Sequence, residues 1–346
     1  MKWMTGGRHA LILVMILAAS MLLSGCGKLS SGKRIVRISH SQSETHPDHL
    51  GLLAFKDYVE RRLGDEYDIQ IFPNEILGSS VKAIELVQTG ALDYCVCSTG
   101  NLETFNDIYQ IFSMPYLFDN LEVFYASMED PEIMNTISES TSKSGFEAVT
   151  WFSAGTRNFY GKKPINGPED LKGMKIRVQA SPTNVRMMEM FGAAAAPMSF
   201  GEVYTAIQQG VIDGAENNEL ALTNNKHGEI AKYYSYDQHQ IVPDMLIANS
   251  RFLDSLSPEE KRIFEEAARE CSRVELSEWD KQIEAAKAEA GEKMKVQFLY
   301  PDIQPFRQKI MPLQQEILRQ NPKLQPIYDR IQVLSAEVGK EQQEND

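Results

Sequence analysis

A six-residue pattern that occurs twice along the chain places the strongest constraint on its fold. The sequence QTGALD fills positions 88–93, and QQGVID fills positions 208–213. Apolar residues at helical spacing precede each pattern, the glycine ends the helix in a left-handed turn, and a strand follows. Two such units, 120 residues apart, predict two α/β lobes of similar topology. Chance similarity of a common helix-to-strand turn is the alternative interpretation.

The other predicted elements fit this plan. Strands are predicted over 34–39, 68–72, 148–153 and 175–178. A helix that begins with a Thr45/Asp48 capping box runs to about Arg62. Strands that alternate with helices favour a mostly parallel sheet.

A long helix is predicted after Ser257. The sequence SPEE at 257–260 combines an N-cap, a proline in the first turn and a glutamate at the third helical position. If the helix continues to about Ala290, it is about 50 Å long, more than one lobe, and can brace both lobes. A shorter helix is predicted over about 305–320, and the polar residues 339–346 are expected to fray.

The N-terminal residues are typical of an export signal. Lys2 and Arg8 are followed by an apolar run over 10–23 that is too short to span a bilayer. The sequence LSGC at 23–26 then matches a lipobox, in which the cysteine receives a lipid. We therefore predict a signal peptide over 1–25, a lipid anchor on Cys26 and a tether over 26–33. A secretory signal with a chance cysteine is the alternative.

Composition narrows the possible functions of the remaining chain. About 320 residues are too many for one compact core and suit two lobes. The net charge of −13 argues against a nucleic-acid partner. Cys95, Cys97 and Cys271 lack the spacing of a redox or zinc motif and are expected to be small core residues. His46 and His49 could chelate a metal, but no third ligand is evident, so we predict no metal site and no cofactor.

Two arginines are the main candidates for a binding site, because ligands of α/β sheets bind where strand ends and loops converge. Arg157 follows the strand over 148–153, and Arg177 lies within the strand over 175–178. A buried arginine is rare unless it is paired, and its planar guanidinium fits a carboxylate with two hydrogen bonds. These residues indicate a site for an organic acid. A structural salt bridge to an internal acid is the alternative for either arginine.

Several segments in order along the chain resemble the DctP family, the solute-binding proteins of TRAP transporters. The resembling segments are FPN and LG within 72–78, QTGALD at 88–93, PYLF at 115–118, LKGMKIRV at 171–178 and DGAEN at 213–217. The resemblance covers about residues 35–336.

The resemblance implies an α/β fold of two lobes, like that of periplasmic binding proteins, with the ligand in the cleft between them. It also implies a hinged closure and a long helix that bridges both lobes. On this basis lobe I is expected to comprise 34–154 and 243–282, and lobe II 155–242 and 283–346.

The resemblance further implies roles for single residues. Arg177 would grip the ligand carboxylate, Arg157 would be a second cationic contact, and Asn217 would bond the same carboxylate. Asn218 stands where many members have proline, and the Asn-Asn pair resembles the subgroup that binds sugar acids such as hexuronates. Polar residues that could contact ligand hydroxyls, or could equally be solvated loop residues, are His40, Glu44, Glu75, Ser98 and Asn101. Glu75 would also repel a second anionic group, which argues against a simple dicarboxylate.

The implied function is that of a monomeric, extracytoplasmic lipoprotein on the periplasmic or outer-surface side of a membrane. It would capture a small carboxylate, such as a hexuronate, and deliver it to the small and large membrane subunits of a permease. The alternatives are a dicarboxylate or keto acid as ligand, and a sensor that docks on a signalling receptor. Because no G-x-S-x-G, H-E-x-x-H or P-loop motif occurs, an enzyme is disfavoured.

Overall fold

A computed structural model describes residues 32–345, so the predicted signal peptide and Cys26 lie outside the described residues. The strands are β1 (Arg34–Ser39), β2 (Tyr67–Phe72), β3 (Tyr94–Ser98), β4 (Phe146–Phe152), β5 (Thr156–Gly161), β6 (Lys175–Val178), β7 (Ala194–Pro197), β8 (Gly214–Asn217), β9 (Tyr233–Ile241), β10 (Asp244–Asn249) and β11 (Gln297–Leu299). The helices are α1 (Pro47–Leu63), α2 (Ser80–Thr89), α3 (Thr99–Leu102), α4 (Leu121–Glu129), α5 (Pro131–Thr141), α6 (Pro182–Phe191), α7 (Val203–Gln209), α8 (Leu220–Thr223), α9 (Ser250–Asp254), α10 (Pro258–Glu292), α11 (Gln304–Ile310), α12 (Pro312–Gln320) and α13 (Gln325–Asn345). Short 3-10 helices lie at Asp107–Ser113, Ser142–Ser144, Pro168–Leu171, Phe200–Glu202, His227–Glu229 and Pro322–Leu324.

Over the described residues the strands form two sheets. Sheet 1 has the order β2-β1-β3-β10-β4, and sheet 2 has the order β11-β9-β5-β8-β6-β7. Within these residues each sheet has one strand that runs against both of its neighbours, β10 in sheet 1 and β5 in sheet 2. Apart from β11 the two orders correspond, with β2-β1-β3-β10-β4 matching β7-β6-β8-β5-β9. The prediction of two mostly parallel α/β lobes of similar topology is confirmed.

The repeated sequence pattern has the same structure in both lobes. Helix α2 ends at Gly90 and α7 at Gly210, with φ of 80° and 74°. Glycine is favoured there because it enters this left-handed region without a steric penalty. Asp93 and Asp213 each accept a hydrogen bond of 2.8 Å from a main-chain N–H of the neighbouring parallel strand, β1 or β6. The aspartate of each unit therefore ties the turn to its sheet.

The chain crosses between the two sheets by two short connections and again through helix α10, which leads from β10 to β11. It leaves sheet 1 at Phe152 and joins sheet 2 at Thr156, and it returns between Ile241 and Asp244. The antiparallel strands β5 and β10 are the ones that follow these crossings. Two short connections of this kind are typical of a hinge between lobes.

Helix α10 extends along both lobes. Ser257 accepts a hydrogen bond from the Glu260 N–H, and the Glu260 carboxylate accepts one from the Ser257 N–H, which completes the predicted capping box. Phe264 belongs to the apolar core of sheet 1, and Ala290 belongs to the core of sheet 2. The helix has 35 residues, about 50 Å at the usual rise. The prediction of a long helix across both lobes is confirmed.

Two predictions about helix ends were wrong. Helix α1 is capped by His46 rather than Thr45, because the His46 Nδ1 accepts a hydrogen bond from the Asp48 N–H at 3.2 Å. The helix predicted over 305–320 is divided into α11 and α12 at Met311. Pro312 has no N–H to donate to the preceding turn, which favours a break at this point.

The C-terminal segment 325–338, for which no element was predicted, is helical, and the helix continues into residues 339–346, which were expected to fray. Helix α13 runs to Asn345, and its Ile327, Ile331 and Leu334 are buried. These residues belong to the same apolar cluster as Val123 and Phe124 of α4. The last helix therefore packs beside elements that connect strands of sheet 1.

Within the described part of the chain, no helix is both long and apolar enough to cross a membrane. Cys95, Cys97 and Cys271 are buried free thiols, as predicted. Burial raises the pKa of Cys97 and of Cys271, so these thiols stay protonated and behave as small apolar groups.

Candidate ligand-binding site

A cavity of about 430 Å³ lies between the two sheets, a size typical of sites for small molecules. Its walls come from the ends of β3 and β8, the start of β10, the loops after β2 and β6, and helix α10. Of the residues predicted for the site, those that line the cavity are Arg157, Arg177, Asn217, Asn218, Glu75, Ser98 and Asn101. His40 and Glu44 are not among its lining residues.

Arg157 is paired within the protein through three of its five N–H groups. Its guanidinium donates from Nε to the Glu216 carboxylate, from Nη2 to the Glu216 carbonyl at 2.9 Å, and from Nη1 to the Asn217 side-chain oxygen at 3.1 Å. Burial alone would lower the pKa of Arg157, but the charge and hydrogen bond of Glu216 outweigh burial and raise it. The internal salt bridge considered as an alternative is therefore present at this arginine.

A second buried pair continues the Arg157–Glu216 contact. His239 lies 2.7 Å from Asp237 through Nδ1 and 3.6 Å from Glu216 through Nε2. Burial opposes charge on His239, but Asp237 and Glu216 raise its pKa to about 9. For Glu216, burial is outweighed by Arg157 and His239, which lower its pKa to about 2. Two cations and two carboxylates thus balance one another in the core of sheet 2.

Arg177 differs from Arg157 in having no acidic partner within 4.0 Å among the described residues. Its Nε and Nη2 donate to the Met198 carbonyl at 3.2 and 3.0 Å, and its side chain lies near the Phe200 ring. The residue is only 4% exposed, and burial lowers the pKa of the guanidinium. A buried cation without a counter-ion on the wall of a cavity is arranged to bind an anion.

The two asparagines after β8 make different use of their amides. The Asn217 side-chain oxygen accepts from Arg157 and from the Asn218 N–H, so its NH2 group remains the donor that can reach the cavity. Asn218 donates to the Ala154 carbonyl at 3.0 Å, and its side-chain oxygen accepts from the Leu220 N–H at 3.0 Å. Asn218 therefore joins the first crossing between sheets to the start of α8.

Asp244 brings a carboxyl group to the cavity from sheet 1. Burial and the nearby charge of Asp48 raise its pKa to about 8, against the opposing effects of Arg157 and a hydrogen bond with Ser98. The group therefore holds its proton near neutral pH and can donate a hydrogen bond to a ligand oxygen. Together with Ser98 and Asn101, it gives the sheet 1 side of the cavity a neutral, polar surface.

Glu75 and His40 meet in a turn at the mouth of the cavity. The His40 carbonyl accepts the Glu75 N–H at 3.2 Å, and its ring contacts His49 at 3.0 Å away from the lining. Burial lowers the pKa of His40 to about 3, so its ring is neutral. The Glu75 carboxylate accepts a hydrogen bond of 3.0 Å from the Gly201 N–H of the opposite lobe. Glu44 is exposed on the surface.

Comparison with known proteins identifies the family and the fold. Residues 38–321 match the DctP family model, described as bacterial extracellular solute-binding protein, family 7. The chain belongs to the DctP family. The resemblance predicted from its motifs is confirmed.

This DctP-family protein is similar to solved structures of TRAP periplasmic solute-binding proteins. One from Anaerococcus prevotii DSM 20548, with bound α/β-D-glucuronate, is 55% identical with a TM-score of 0.87, covering 88% of this chain and 99% of that chain. One from Xanthobacter autotrophicus Py2, with bound β-D-galacturonate, is 33% identical with a TM-score of 0.83, covering 86% and 99%. The uncharacterized protein YiiZ of Salmonella typhimurium LT2 is 40% identical over 318 residues, 91% of this chain and 96% of that protein.

Sequence reasoning about this DctP-family protein missed one residue behind the cavity wall, Glu216, and two residues of the wall itself. Glu216 lies inside the buried strand β8, and an acid in that position could have been taken as a sign of a buried cation. Trp279 of α10 lines the cavity although no strand end lies near it in sequence. Asp244 begins an antiparallel strand, whereas binding residues were expected only at the ends of the predicted parallel strands.

Proposed function

We propose that this DctP-family protein binds a hexuronate in the cavity and delivers it to the small and large membrane subunits of a TRAP permease. The observation that carries the proposal is the buried guanidinium of Arg177, which has no acidic partner among the described residues. An anion in the cavity supplies that partner. The glucuronate and galacturonate in the two solved structures support a sugar acid as the ligand class.

The proposed ligand carboxylate lies between Arg177 and Asn217. The Arg177 Nη1 makes no hydrogen bond within the described residues, and the Asn217 NH2 group is also free to donate. Arg157 contributes chiefly by orienting the Asn217 oxygen away from the ligand, because three of its five N–H groups are used by Glu216 and Asn217. A carboxylate with two charge-assisted or amide donors is a strong acceptor in a water-poor cleft.

The ligand hydroxyls face polar groups from both lobes in this proposal. Ser98, Asn101 and Glu75 line the cavity, whereas both amide hydrogens of Asn218 are donated to the Ala154 carbonyl and the Asn217 side-chain oxygen. His40 acts through its carbonyl, which holds the Glu75 turn. A direct contact from the exposed Glu44 stays a prediction.

Closure of two lobes completes the proposed mechanism. We assign 34–154 and 243–282 to lobe I, and 155–242 and 283–346 to lobe II, with α13 returning to pack on α4. The short crossings after Phe152 and Ile241 supply the hinge. Closure excludes water from the carboxylate–Arg177 pair and thereby strengthens it. No step of this cycle changes a bond in the ligand, so the role is binding rather than catalysis.

The location of the protein follows from the predicted lipid on Cys26. A diacylated cysteine with a short flexible tether keeps a monomeric receptor beside its permease on the outer face of the membrane. A Cys26→Ser variant should move from the membrane fraction to the soluble fraction while ligand affinity stays the same. An unchanged membrane fraction would remove the lipid anchor from the proposal.

A thermal-shift screen of the purified protein tests the ligand class. The panel contains uronates, aldonates, dicarboxylates, keto acids and sialic acid. We expect the largest increase in Tm with D-glucuronate or D-galacturonate, since a ligand at 100 times its Kd stabilises the folded state by about 2.7 kcal/mol. A response to dicarboxylates alone would overturn the sugar-acid assignment.

A further inference from the structure

The turn that carries Glu75 is held in an uncommon conformation. Asn74 and Glu75 have φ of 57° and 55°, a region that residues with a side chain rarely adopt. Three main-chain hydrogen bonds hold the turn, from Asn74 to Gln42, from Glu75 to His40 and from Gly78 to Glu75. The sequence after β2 therefore fixes the position of the Glu75 side chain at the cavity mouth.

The Glu75 carboxylate connects the two sides of the cavity. Its Oε2 accepts the Gly201 N–H of lobe II at 3.0 Å, whereas Oε1 is shielded from solvent and has no hydrogen-bond partner within the described residues. The fit is close, because a Cβ added to Gly201 would lie 2.9 Å from the same oxygen. The Glu75 carboxylate is therefore held at one place, with its Oε1 shielded from water.

The cavity is electrostatically asymmetric. Arg177 is the cation without a partner, and Glu75 is one of the charges that offset the effect of its burial. The described lining also contains the carboxyl groups of Glu75, Glu202 and Asp244, of which Asp244 keeps its proton near neutral pH. A ligand that places one carboxylate on Arg177 must direct the rest of its atoms toward these groups.

We infer that Glu75 is a specificity-determining residue that excludes ligands with a second carboxylate from the closed cleft. The inference rests on the proposed function and deepens it, because it names the residue that separates uronates from dicarboxylates of the same carbon skeleton. Ligand hydroxyls can donate to the Glu75 carboxylate, whereas a second ligand carboxylate meets like charge there. The hydrogen bond from Gly201 fixes where the carboxylate lies, and the charge of the carboxylate causes the exclusion.

Calorimetry with D-glucuronate and D-glucarate, its dicarboxylate counterpart, tests the inference. For the unmodified protein we expect the Kd for D-glucarate to exceed that for D-glucuronate by about tenfold or more. Glu75→Gln keeps an acceptor for Gly201 but removes the charge, and should lower this ratio by about fivefold or more. Glu85→Gln, on the exposed face of α2, is the matched control and should leave the ratio unchanged.

A third variant separates charge from contact. Gly201→Ala displaces Oε2 but keeps its charge, so it should weaken both ligands and preserve their ratio. An unchanged ratio in Glu75→Gln, or an equal loss of the ratio in Gly201→Ala, would overturn the role of Glu75 while leaving the proposed function in place. Equal binding of both acids by the unmodified protein would also overturn it. Failure of the unmodified protein to bind D-glucuronate would overturn the proposed function and this inference together.

Discussion

Arg157 donates hydrogen bonds to both the carboxylate and the main-chain carbonyl of Glu216, on the adjacent strand of sheet 2. Both side chains are buried, at 3% and 0% exposure. This pairing gives the two arginines that the sequence offered as candidates different roles: Arg157 belongs to the framework, and Arg177 is left for the ligand.

The first prediction concerns the stability of that framework. Arg157→Ala leaves the Glu216 carboxylate buried beside His239 without its main cation. We expect the free energy of unfolding to fall by roughly 3–5 kcal/mol, the usual effect of removing one partner of a buried ion pair. Urea unfolding measures this change. Arg186→Ala, which breaks only exposed ion pairs with Glu189 and Glu316, should have a far smaller effect.

A result in which Arg157→Ala unfolds like the Arg186 control but no longer binds ligand would contradict this division. Arg157 would then be a direct ligand contact. Arg157→Lys should be milder than Arg157→Ala, because a positive charge remains beside Glu216 without the planar fork.

The second prediction is a pH dependence of stability due to Asp244. Its folded-state pKa of about 8 lies above the ordinary value of 3.8, so the folded protein keeps a proton that the unfolded chain loses. The contribution to stability is complete below about pH 4 and is lost as the pH rises toward 8. Its slope is at most about 1.4 kcal/mol per pH unit.

Asp244→Asn replaces the protonated carboxyl with a neutral group of similar shape and should remove this slope. Urea unfolding at several pH values between 5 and 8 measures it for both proteins. The exposed Asp254→Asn is the control and should keep the slope of the unmodified protein. If the free energy of unfolding depends on pH in the same way for the Asp244 variant and the unmodified protein, Asp244 is ionised in the folded protein.

The third prediction concerns the first crossing between the sheets. Gly155 has φ of 61°, and a Cβ there would lie 2.7 Å from the Trp279 ring. We expect Gly155→Ala to destabilise the protein by roughly 2 kcal/mol and to weaken ligand binding, since Trp279 lines the cavity. Thermal unfolding and calorimetry measure the two effects.

Gly173→Ala is the control for Gly155→Ala. Gly173 has φ of 77° but no heavy atom within 4 Å of an added Cβ, so it carries the backbone strain without the clash. Gly173→Ala should destabilise the protein less than Gly155→Ala does and should leave its affinity for the ligand unaltered. Equal losses in both variants would mean that the contact with Trp279 has no influence on the cleft.

Much of the fold could be predicted because its signals are local. The glycines at 90 and 210 and the aspartates at 93 and 213 are read from short patterns, and both units have the predicted geometry. The C-terminal helix α13 was not predicted, although Ile327, Ile331 and Leu334 have helical spacing. The polar residues 339–346 suggested a frayed end, whereas packing on α4 buries one face of the helix that leads into them.

The site could be predicted only in part, because local sequence patterns do not show which distant residues pair with each other. Glu216 is 59 residues from Arg157, and only the antiparallel pairing of β5 with β8 brings them together. The contact from Glu75 to Gly201 spans 126 residues and depends on how the lobes face each other. Residue types at strand ends therefore indicated where the cleft lies, but not which arginine is free.

The central claim is that Arg177 binds the ligand carboxylate, and calorimetry of D-glucuronate with the unmodified protein and with Arg177→Ala tests it most directly. We predict a loss of roughly 2–5 kcal/mol in binding, which corresponds to about 30-fold to several thousandfold in Kd. The free energy of unfolding without ligand should not fall, since Arg177 has no acidic partner within the described residues to lose. An unchanged Kd in a folded Arg177→Ala protein would contradict the account.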